Sequence, residues 1–430
     1  MASLLVRPSK LRGRVRAPPS KSYTHRAASL ALLASGESEI REPLWSLDTE
    51  ATLEACRLLG AGVSVPSEGW EWRLEGTGGR VRPRSPLIDA RNSGTTLRIM
   101  TAVASLSPTP VRLTGDESLR RRPMGPLVEA LRQLGAEARC EGEGGRPPVV
   151  VGGGLVGGEA EITGEVSSQF ISALLIACPY AREEVKLSVS GELRSRPYVE
   201  VTLSLLDRVG ARVGRNARLT EFRIPGEQLF RPLSLSIPGD YSSAAFVLAA
   251  GALTGSEVEV SHLDPRDPQG DRAIAKLLEE FGAEVEFEDH VLSVAGTGRL
   301  EGVEVDCGDC PDLVPVLAVL GSVAEGRTVL TNIPHLRLKE TDRLHALSSE
   351  LRKMGAEVRE LPDELRIRGV RKLRGARVSS FGDHRMAMAL AVAGLVAEGT
   401  TVVEGAESIP VSYPHFVRDM RSLGARMEYL

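Results

Sequence analysis

The chain has 430 residues, 42% apolar and 26% charged, with 53 Lys+Arg against 57 Asp+Glu and a net charge of −4. That length exceeds one ordinary core and points to two or three domains, while the apolar share excludes wholesale disorder. A net acidic balance with 4% aromatics argues against a nucleic-acid binder, and the longest apolar stretches, such as Met386 to Ala397, are too short to cross a membrane.

The N-terminus, MASLLVRPSKLRGRVRAPPSKS, carries basic residues without an apolar stretch or small-residue cleavage site behind them. No signal peptide is read there, and the expected compartment is the cytoplasm. Seven amides and 46 Arg against 7 Lys fit either a thermophile or a GC-rich genome. The five cysteines are Cys56, Cys140, Cys178, Cys307 and Cys310. An odd, sparse set makes no disulfide framework. Cys307 and Cys310 form one C-x-x-C, half of a structural zinc site with nothing to complete it, so they read as two small side chains in a tight turn.

Along the chain an amphipathic segment ending in Gly-Ala recurs six times: ATLEACRLLGAGV, LVEALRQLGAEA, VTLSLLDRVGARV, IAKLLEEFGAEV, LSSELRKMGAEV and FVRDMRSLGARM. Its glycines, Gly60, Gly135, Gly210, Gly282, Gly355 and Gly424, lie 75, 75, 72, 73 and 69 residues apart. A near-constant period marks a repeat architecture. In the fourth copy Ile274, Leu277, Leu278 and Phe281 fall on one helical face, and the glycine stands where a helix end wants a left-handed residue. A short strand is expected next, as in Ala283-Glu-Val-Glu-Phe.

A second helix type recurs at the same period. Its copies begin near SKSYTHRAASLALL, NSGTTLRIMTAVASL, SSQFISALLIAC, DYSSAAFVLAAGAL, PDLVPVLAVLGSVA and GDHRMAMALAVAGLV. These are Ala-rich and apolar almost all round, as buried helices are. Strands are expected behind them, as at Ser256 to Val260 and Thr400 to Glu404. Each unit reads strand, buried helix, strand, exposed helix, strand.

The starts of the buried helices carry Ser20, Lys21, Ser22, Asn92, Ser93, Ser167, Ser168, Gln169, Ser242, Ser243, Asp312, Asp383, His384 and Arg385. Ser, Asn and Asp are good helix caps. Capping does not explain Lys21, Arg26, Arg98 and Arg385, because the helix dipole disfavours cations there. A bound anion would offset both. The pattern implies a multi-point anion site assembled from several repeats.

The segments PPSKSYTHRAASLALLASGES, NSGTTLR, GDESLRRRPMGPL, SSQF, SRPY, PGDYSSAAFVLAA, PDLVPVLAVL, NIPHLRLKETDRL and GDHRMAMALAVAGL, in that order over nearly the whole chain, resemble the 5-enolpyruvylshikimate-3-phosphate synthase family. The resemblance implies an α/β fold of two domains, each of three βαβαββ-type repeats with buried parallel helices (an inside-out α/β barrel, the enolpyruvyl transferase fold). Residues 18–236 would form the domain of repeats one to three, on the substrate-phosphate side. Residues 1–17 with 237–430 would form the other, the acid/base side, with the active site in the cleft between. The crossings would lie near Arg16 to Ser20 and Ile237 to Asp240, both Pro-containing and suited to a hinge that closes on ligand.

The implied reaction is carboxyvinyl transfer from phosphoenolpyruvate to the 5-hydroxyl of shikimate 3-phosphate, with release of phosphate, in aromatic amino-acid biosynthesis. For shikimate 3-phosphate the resemblance implies Lys21, Ser22, Arg26, Ser167, Ser168, Gln169, Ser195, Tyr198, Asp312, His335 and Lys339. For phosphoenolpyruvate it implies Lys21, Gly94, Arg122, Gln169, Arg343 and Arg385. Arg forks pair bidentately with carboxylate and phosphate, and a glycine lets the backbone approach a ligand. Asp312 would accept the hydroxyl proton. Glu340 with Lys339 would act near C3, and Lys21 and His384 complete the implied catalytic set, His384 in a secondary role. Structural readings stand beside these: Ser195 and Tyr198 can cap or pack, Arg120 and Arg121 belong to a solvated charge run, and a histidine beside an aspartate is commonly structural.

One position departs from the family. Many members carry a Lys just before the late Ser/Thr-aromatic-Pro segment; here that segment is VSYPHF and the position is Val411. Weaker phosphoenolpyruvate binding is expected. No metal or cofactor motif is found; GGGLVGG at Gly152 to Gly158 lacks the Lys of a phosphate loop and reads as a turn. The expected partners are the two small substrates alone, with no nucleic acid or membrane, and the expected state is a monomer. Two alternatives remain. UDP-N-acetylglucosamine enolpyruvyl transferase shares the fold but commonly carries a reactive Cys in the loop corresponding to Thr114 to Arg122, where this chain has none. A non-catalytic anion-binding repeat protein would have no need of Asp312 and Glu340.

Overall fold

The structure is a computed structural model that describes residues 2–66 and 69–430. The chain forms two compact units, Pro19–Ile237 (the first unit) and Met1–Pro18 with Pro238–Leu430 (the second). Both crossings fall at prolines, one residue later than the expected boundaries. Each unit has its own apolar core.

In the first unit the helices are α1 (Lys21–Leu33), α2 (Leu47–Leu58), α3 (Gly94–Ala104), the single turn α4 (Glu117–Arg120), α5 (Gly125–Gln133), α6 (Ser168–Ala177) and α7 (Arg196–Arg208). The Ala-rich helices α1, α3 and α6 are buried nearly all round, as apolar residues on every face require. Three four-stranded sheets cover them. The second repeat illustrates the pattern. Leu87–Asp89 pairs parallel with Val111–Thr114, which pairs antiparallel with Arg146–Gly152, and Glu137–Gly142 closes the edge. The parallel pair brackets the buried helix, because parallel strands need a crossover. The first repeat takes its edge strand from the far end of the unit: Ser234–Ser236 pairs parallel with Glu37–Arg41.

The second unit repeats the plan with α8 (Tyr241–Thr254), α9 (Ile274–Glu280), α10 (Val314–Gly321), α11 (Arg343–Lys353), α12 (His384–Gly394) and α13 (Phe416–Ser422). Here α8, α10 and α12 are the buried helices. The N-terminus belongs to this unit. Arg12–Arg16 pairs parallel with Glu257–Ser261, and Ser3–Arg7 lies antiparallel between Thr401–Glu404 and Arg426–Tyr429. Strands alternate buried and exposed residues, so each sheet turns one face to the core and one to solvent.

The six Gly-Ala motifs do what their spacing predicts. Each glycine has positive φ, from +79° at Gly210 to +117° at Gly60. In every copy the glycine N–H bonds the carbonyl three residues back and the next alanine N–H the carbonyl five back, as in Gly60 to Arg57 and Ala61 to Cys56. This is the Schellman helix stop, which returns the chain into the following strand. The C-x-x-C is a tight turn as read: Cys310 N–H bonds the Cys307 carbonyl, and both thiols are free and buried. Gly152 to Gly158 links two strands. Among the described residues no helix is long and apolar enough to cross a membrane.

Candidate active site

In the first unit the polar residues gather at the N-terminal ends of the buried helices. Ser20 stands at the α1 cap position without capping it, and its buried hydroxyl has no hydrogen-bond partner among the described residues. Lys21 opens α1 and donates to Asp48 Oδ2 at 3.1 Å, in the first turn of α2. One turn on, His25 Nδ1 meets Thr52 Oγ1 at 2.6 Å, Thr52 meets Thr96 at 2.6 Å, and Thr96 donates to Ser93 at 2.7 Å. This chain of hydroxyls ties α1, α2 and α3 together. Burial, then the charges of Lys21 and Arg26, hold His25 well below the usual histidine range, so it stays neutral.

A second group surrounds Gly94, the first residue of α3. A methyl group there would stand 3.0 Å from Arg122 Nη1 and 3.4 Å from Arg98 Nη1. Two guanidinium groups therefore converge on one bare backbone position. Arg98 donates to Gln169 Oε1 at 2.6 Å, and Gln169 Nε2 donates to Thr95 at 3.0 Å. Arg122, buried, donates to Asn92 Oδ1 at 2.9 Å, while Asn92 donates to Asp116 at 2.6 Å. Ser167 caps α6 by accepting from the Gln169 N–H, with Ser168 buried behind it. Arg121 pairs instead with Glu117 on the surface, as a charge-run residue should.

Arg26 forms a third group. Its guanidinium donates to Ser22 O, Thr202 Oγ1, Ser172 Oγ and Tyr198 O, and lies 6.0 Å from the Tyr198 ring centroid. Burial lowers it to about 10. Ser195 precedes α7 with φ +55° and does not cap it. A left-handed serine is a strained choice, of the kind that collects at functional sites.

In the second unit Arg343, the first residue of α11 and 1% exposed, is the hub. Its Nε donates to Asp383 Oδ2 at 2.7 Å, Nη1 to Asp312 Oδ1 at 2.9 Å, and Nη2 to Glu340 Oε2 at 3.0 Å and Asp383 Oδ1 at 3.3 Å. Arg385 takes the other Asp312 oxygen at 3.0 Å. Burial alone would raise the Asp312 carboxyl, but Arg385, Lys339 and Arg343 outweigh it and hold Asp312 well below the usual carboxylate range. For Arg343, burial is outweighed by Asp383, Glu340 and Asp312, which hold its proton more firmly than usual. Asp383 also caps α12 by accepting from the Arg385 and Met386 N–H groups. His384 is the buried first residue of α12, and His335 is buried in the 3-10 segment Pro334–Leu338. Position 411 is half-buried at the end of the 3-10 segment Ala406–Val411.

The structure thus joins Asp312, Lys339, Glu340, Arg343 and Arg385 in one group. Gly94, Arg122, Ser167 and Gln169 form another, Ser22, Arg26 and Tyr198 a third, and Lys21 rests on Asp48, whose carbonyl accepts from Thr96 of α3 at 3.2 Å. Arg337 leaves the charge run to pair with Asp342 and Glu360. Sequence reasoning did not single out Asp48 or Asp271. Asp48 looks like an ordinary acid in the first turn of an amphipathic helix. Asp271 sits in DPQGD, which reads as a surface turn. Arg98 stands out in the sequence as a cation near a helix start.

The family model for EPSP synthase (3-phosphoshikimate 1-carboxyvinyltransferase) matches residues 5–420. A 3-phosphoshikimate 1-carboxyvinyltransferase of Methanosarcina mazei is 49% identical over 425 residues, covering 98% of this chain and 97% of its own. One from Methanocaldococcus jannaschii is 43% identical over 427 residues, with 99% of both chains covered. A solved structure of EPSP synthase from Acinetobacter baumannii superposes over 100% of both chains, with a TM-score of 0.83 at 28% identity. With the repeat plan and the grouped arginines and carboxylates already in place, the chain belongs to the EPSP synthase (3-phosphoshikimate 1-carboxyvinyltransferase) family.

Proposed function

We infer that the protein transfers the carboxyvinyl group of phosphoenolpyruvate to the 5-hydroxyl of shikimate 3-phosphate and releases phosphate. The hydroxyl oxygen attacks C2 while C3 gains a proton; the tetrahedral intermediate then loses inorganic phosphate and a proton from C3, leaving the enolpyruvyl ether. Groups of both units serve the reaction. In the first unit, Ser22, Arg26, Ser167, Ser168, Gln169, Ser195 and Tyr198 take the phosphate and ring of shikimate 3-phosphate, with His335 and Lys339 contributing from the second. Lys21, Gly94, Arg122 and Gln169 meet phosphoenolpyruvate together with Arg343 and Arg385. The crowding of Arg98 and Arg122 at Gly94 supports an anion there.

The observation that carries the reading is the Arg343 hub. A pure anion binder would present Arg343 open, whereas three carboxylates already hold it. An incoming substrate carboxylate competes for Arg343 and loosens Asp312 and Glu340. The first then accepts the hydroxyl proton, and the second, with Lys339 and Lys21, handles the proton at C3. His384 supports this group from the start of α12. UDP-N-acetylglucosamine enolpyruvyl transfer is not favoured by the family match or the named relatives.

The test is phosphate release. It is expected only when both substrates are present, and Asp312→Asn is expected to lose at least about a hundredfold in kcat, the lower bound of general-base assistance. Turnover left intact in that variant refutes the role of Asp312. The reading includes a monomer in a reducing cytoplasm. Free cysteines throughout support the compartment. Cross-strand ion pairs on exposed sheet faces, such as Arg112–Glu141 and Arg377–Glu404, support solvent-facing sheets. Sedimentation of a dimer would overturn the monomer.

A further inference from the structure

A run of buried polar side chains in the first unit has no part in the proposed reaction. His25, Thr52, Thr96 and Ser93 are each 1% exposed or less. They come from three helices: His25 from α1, Thr52 from α2 and Thr96 from α3, with Ser93 at the α3 cap. Their polar atoms follow one another at 2.6, 2.6 and 2.7 Å. Thr96 is the node. Its hydroxyl oxygen lies 2.6 Å from Thr52 Oγ1, 2.7 Å from Ser93 Oγ and 3.2 Å from the Asp48 carbonyl oxygen.

The protons of this run have one consistent order. The neutral His25 ring carries a single N–H. Its Nε2 is buried, with no hydrogen-bond partner among the described residues. A buried N–H without an acceptor is rarer than a lone pair without a donor, so the proton belongs on Nδ1. His25 therefore donates to Thr52, Thr52 donates to Thr96, and Thr96 divides its one proton between Ser93 Oγ and the Asp48 carbonyl. Ser93 Oγ also accepts the Thr96 N–H at 3.1 Å, which caps α3. Apolar packing is non-directional, whereas hydrogen bonds fix both distance and angle. The node thus sets where the start of α3 stands against the first turn of α2. Gly94 follows Ser93 directly, and the Asp48 side chain holds Lys21.

We propose that Thr96 is a positioning residue for phosphoenolpyruvate: its hydroxyl, ordered by His25 through Thr52, holds the Gly94 backbone and the Lys21 ammonium on Asp48 in register for one anion. This rests on Lys21 and Gly94 both meeting phosphoenolpyruvate. Thr96 acts through them and touches no substrate itself. Thr96→Val keeps the branched shape and, through the backbone N–H, the α3 cap, but it removes the node. Thr52 is then left with a buried proton and no acceptor on α3, and Asp48 loses its bond from that helix, so the two helix starts are free to shift.

The experiment is steady-state phosphate release, with kcat and the KM of each substrate, in wild type, Thr96→Val, Thr96→Ser, Thr52→Val and Thr101→Val. Thr96→Val should raise KM for phosphoenolpyruvate about three- to tenfold, the effect of one net hydrogen bond, while kcat and KM for shikimate 3-phosphate change by less than about twofold. Thr96→Ser keeps the hydroxyl and should return most of the affinity. Thr101 is the control for a merely structural loss. It is equally buried on the same helix, and its hydroxyl donates to Leu97 O of that helix at 2.7 Å, so Thr101→Val should leave KM unchanged. In an Asp48→Ala background the Thr96→Val factor should shrink below about twofold, because the place of Lys21 then no longer depends on α3. Thr52→Val unties His25 from the node and should raise the same KM by a smaller factor. It keeps the proposal open to refutation if Thr96→Val does not fold. An unchanged KM for phosphoenolpyruvate in Thr96→Val or, failing that variant, in Thr52→Val overturns the proposal. So does an equal rise in Thr101→Val, or a Thr96→Val factor undiminished beside Asp48→Ala. In each of these cases phosphate release by the wild type leaves the reaction standing, whereas no release by the wild type with both substrates removes the reaction and the proposal with it.

Discussion

Replacing Asp383 with Ala tests the Arg343 hub where its electrostatics are strongest. The Asp383 side chain is 0% exposed and grips Arg343 through both oxygens, at 2.7 and 3.3 Å. Removing one partner of a buried ion pair costs about 3–5 kcal/mol. The low end applies here, because Asp312 and Glu340 still face the guanidinium. Loss of the α12 cap, which serves the Arg385 N–H at 2.8 Å and the Met386 N–H at 3.4 Å, adds about 1 kcal/mol. The sum is about 4 kcal/mol, a large part of a domain's usual 5–15. Asp383→Asn keeps the cap acceptor and loses the charge, so it should fall between wild type and Ala. The assay is guanidinium unfolding. Trp45, Trp70 and Trp72 all lie in the first unit, so tryptophan fluorescence reports that unit while circular dichroism reports both. At a slope of about 4–5 kcal/mol per molar, the dichroism transition assigned to the second unit should move down by about 1 M. A shift under about 0.2 M, with Ala and Asn alike, would mean that Arg343 is held by its other partners alone and would refute the hub.

Two further outcomes follow from the first unit. Gly94→Ala places a methyl group 3.0 Å from Arg122 Nη1, the movable end of a long side chain. Stability should therefore change by less than about 1 kcal/mol, since alanine favours a helix, while KM for phosphoenolpyruvate should rise about tenfold. Steady-state kinetics beside thermal unfolding check both halves. Asp48→Ala releases Lys21 from a pair whose side chains are 14% and 9% exposed. The freed ammonium should lower kcat/KM by about five- to tenfold, equivalent to about 1 kcal/mol or slightly more, and Asp48→Glu should restore part of it.

What the sequence discloses depends on how local the cause is. The six glycines are legible because a Schellman stop is set by residues next to one another: a left-handed position, a preceding apolar face and a following alanine. The buried helices are legible for the same reason, since an all-round apolar surface has only one tolerable environment. Strand limits drift by a residue, as at Glu257–Ser261, because pairing with Arg12–Arg16 and Val291–Ala295 fixes them from far away. Site residues divide likewise. Lys21, Arg98 and Arg385 announce themselves by standing against a helix dipole. Arg26 does too, but its partners Ser172 and Thr202 are 146 and 176 residues distant, and no local pattern names them. Asp271 is hidden twice over. Gly270 beside it suggests a surface turn, and the Ser242 hydroxyl that holds it lies 29 residues back on a different helix.

Position 411 puts the same electrostatic reasoning to its sharpest use. The family resemblance leads one to expect a lysine where this chain has Val411, and the 3-10 segment Ala406–Val411 packs against α12, whose first turn holds His384 and Arg385. Its neighbour Ser412 accepts a long hydrogen bond from Ser243 at the start of α8, 3.5 Å away. The start of α12 carries the Arg385–Asp312 pair, so the helix against which this segment packs already holds a carboxylate. Val411→Lys should therefore be tolerated at a half-buried position, because the side chain can send its charge outward or pair it. When phosphoenolpyruvate binds, the new cation gains a doubly anionic partner, a charge-assisted contact worth about 1.5–3 kcal/mol. KM for phosphoenolpyruvate should fall by about tenfold or more, with KM for shikimate 3-phosphate unmoved, and the gain should shrink as salt rises. A Val411→Met variant of similar length supplies no charge and should leave KM where it was. If Lys and Met behave alike, or if Lys weakens phosphoenolpyruvate binding, the cation missing from position 411 is supplied by another residue.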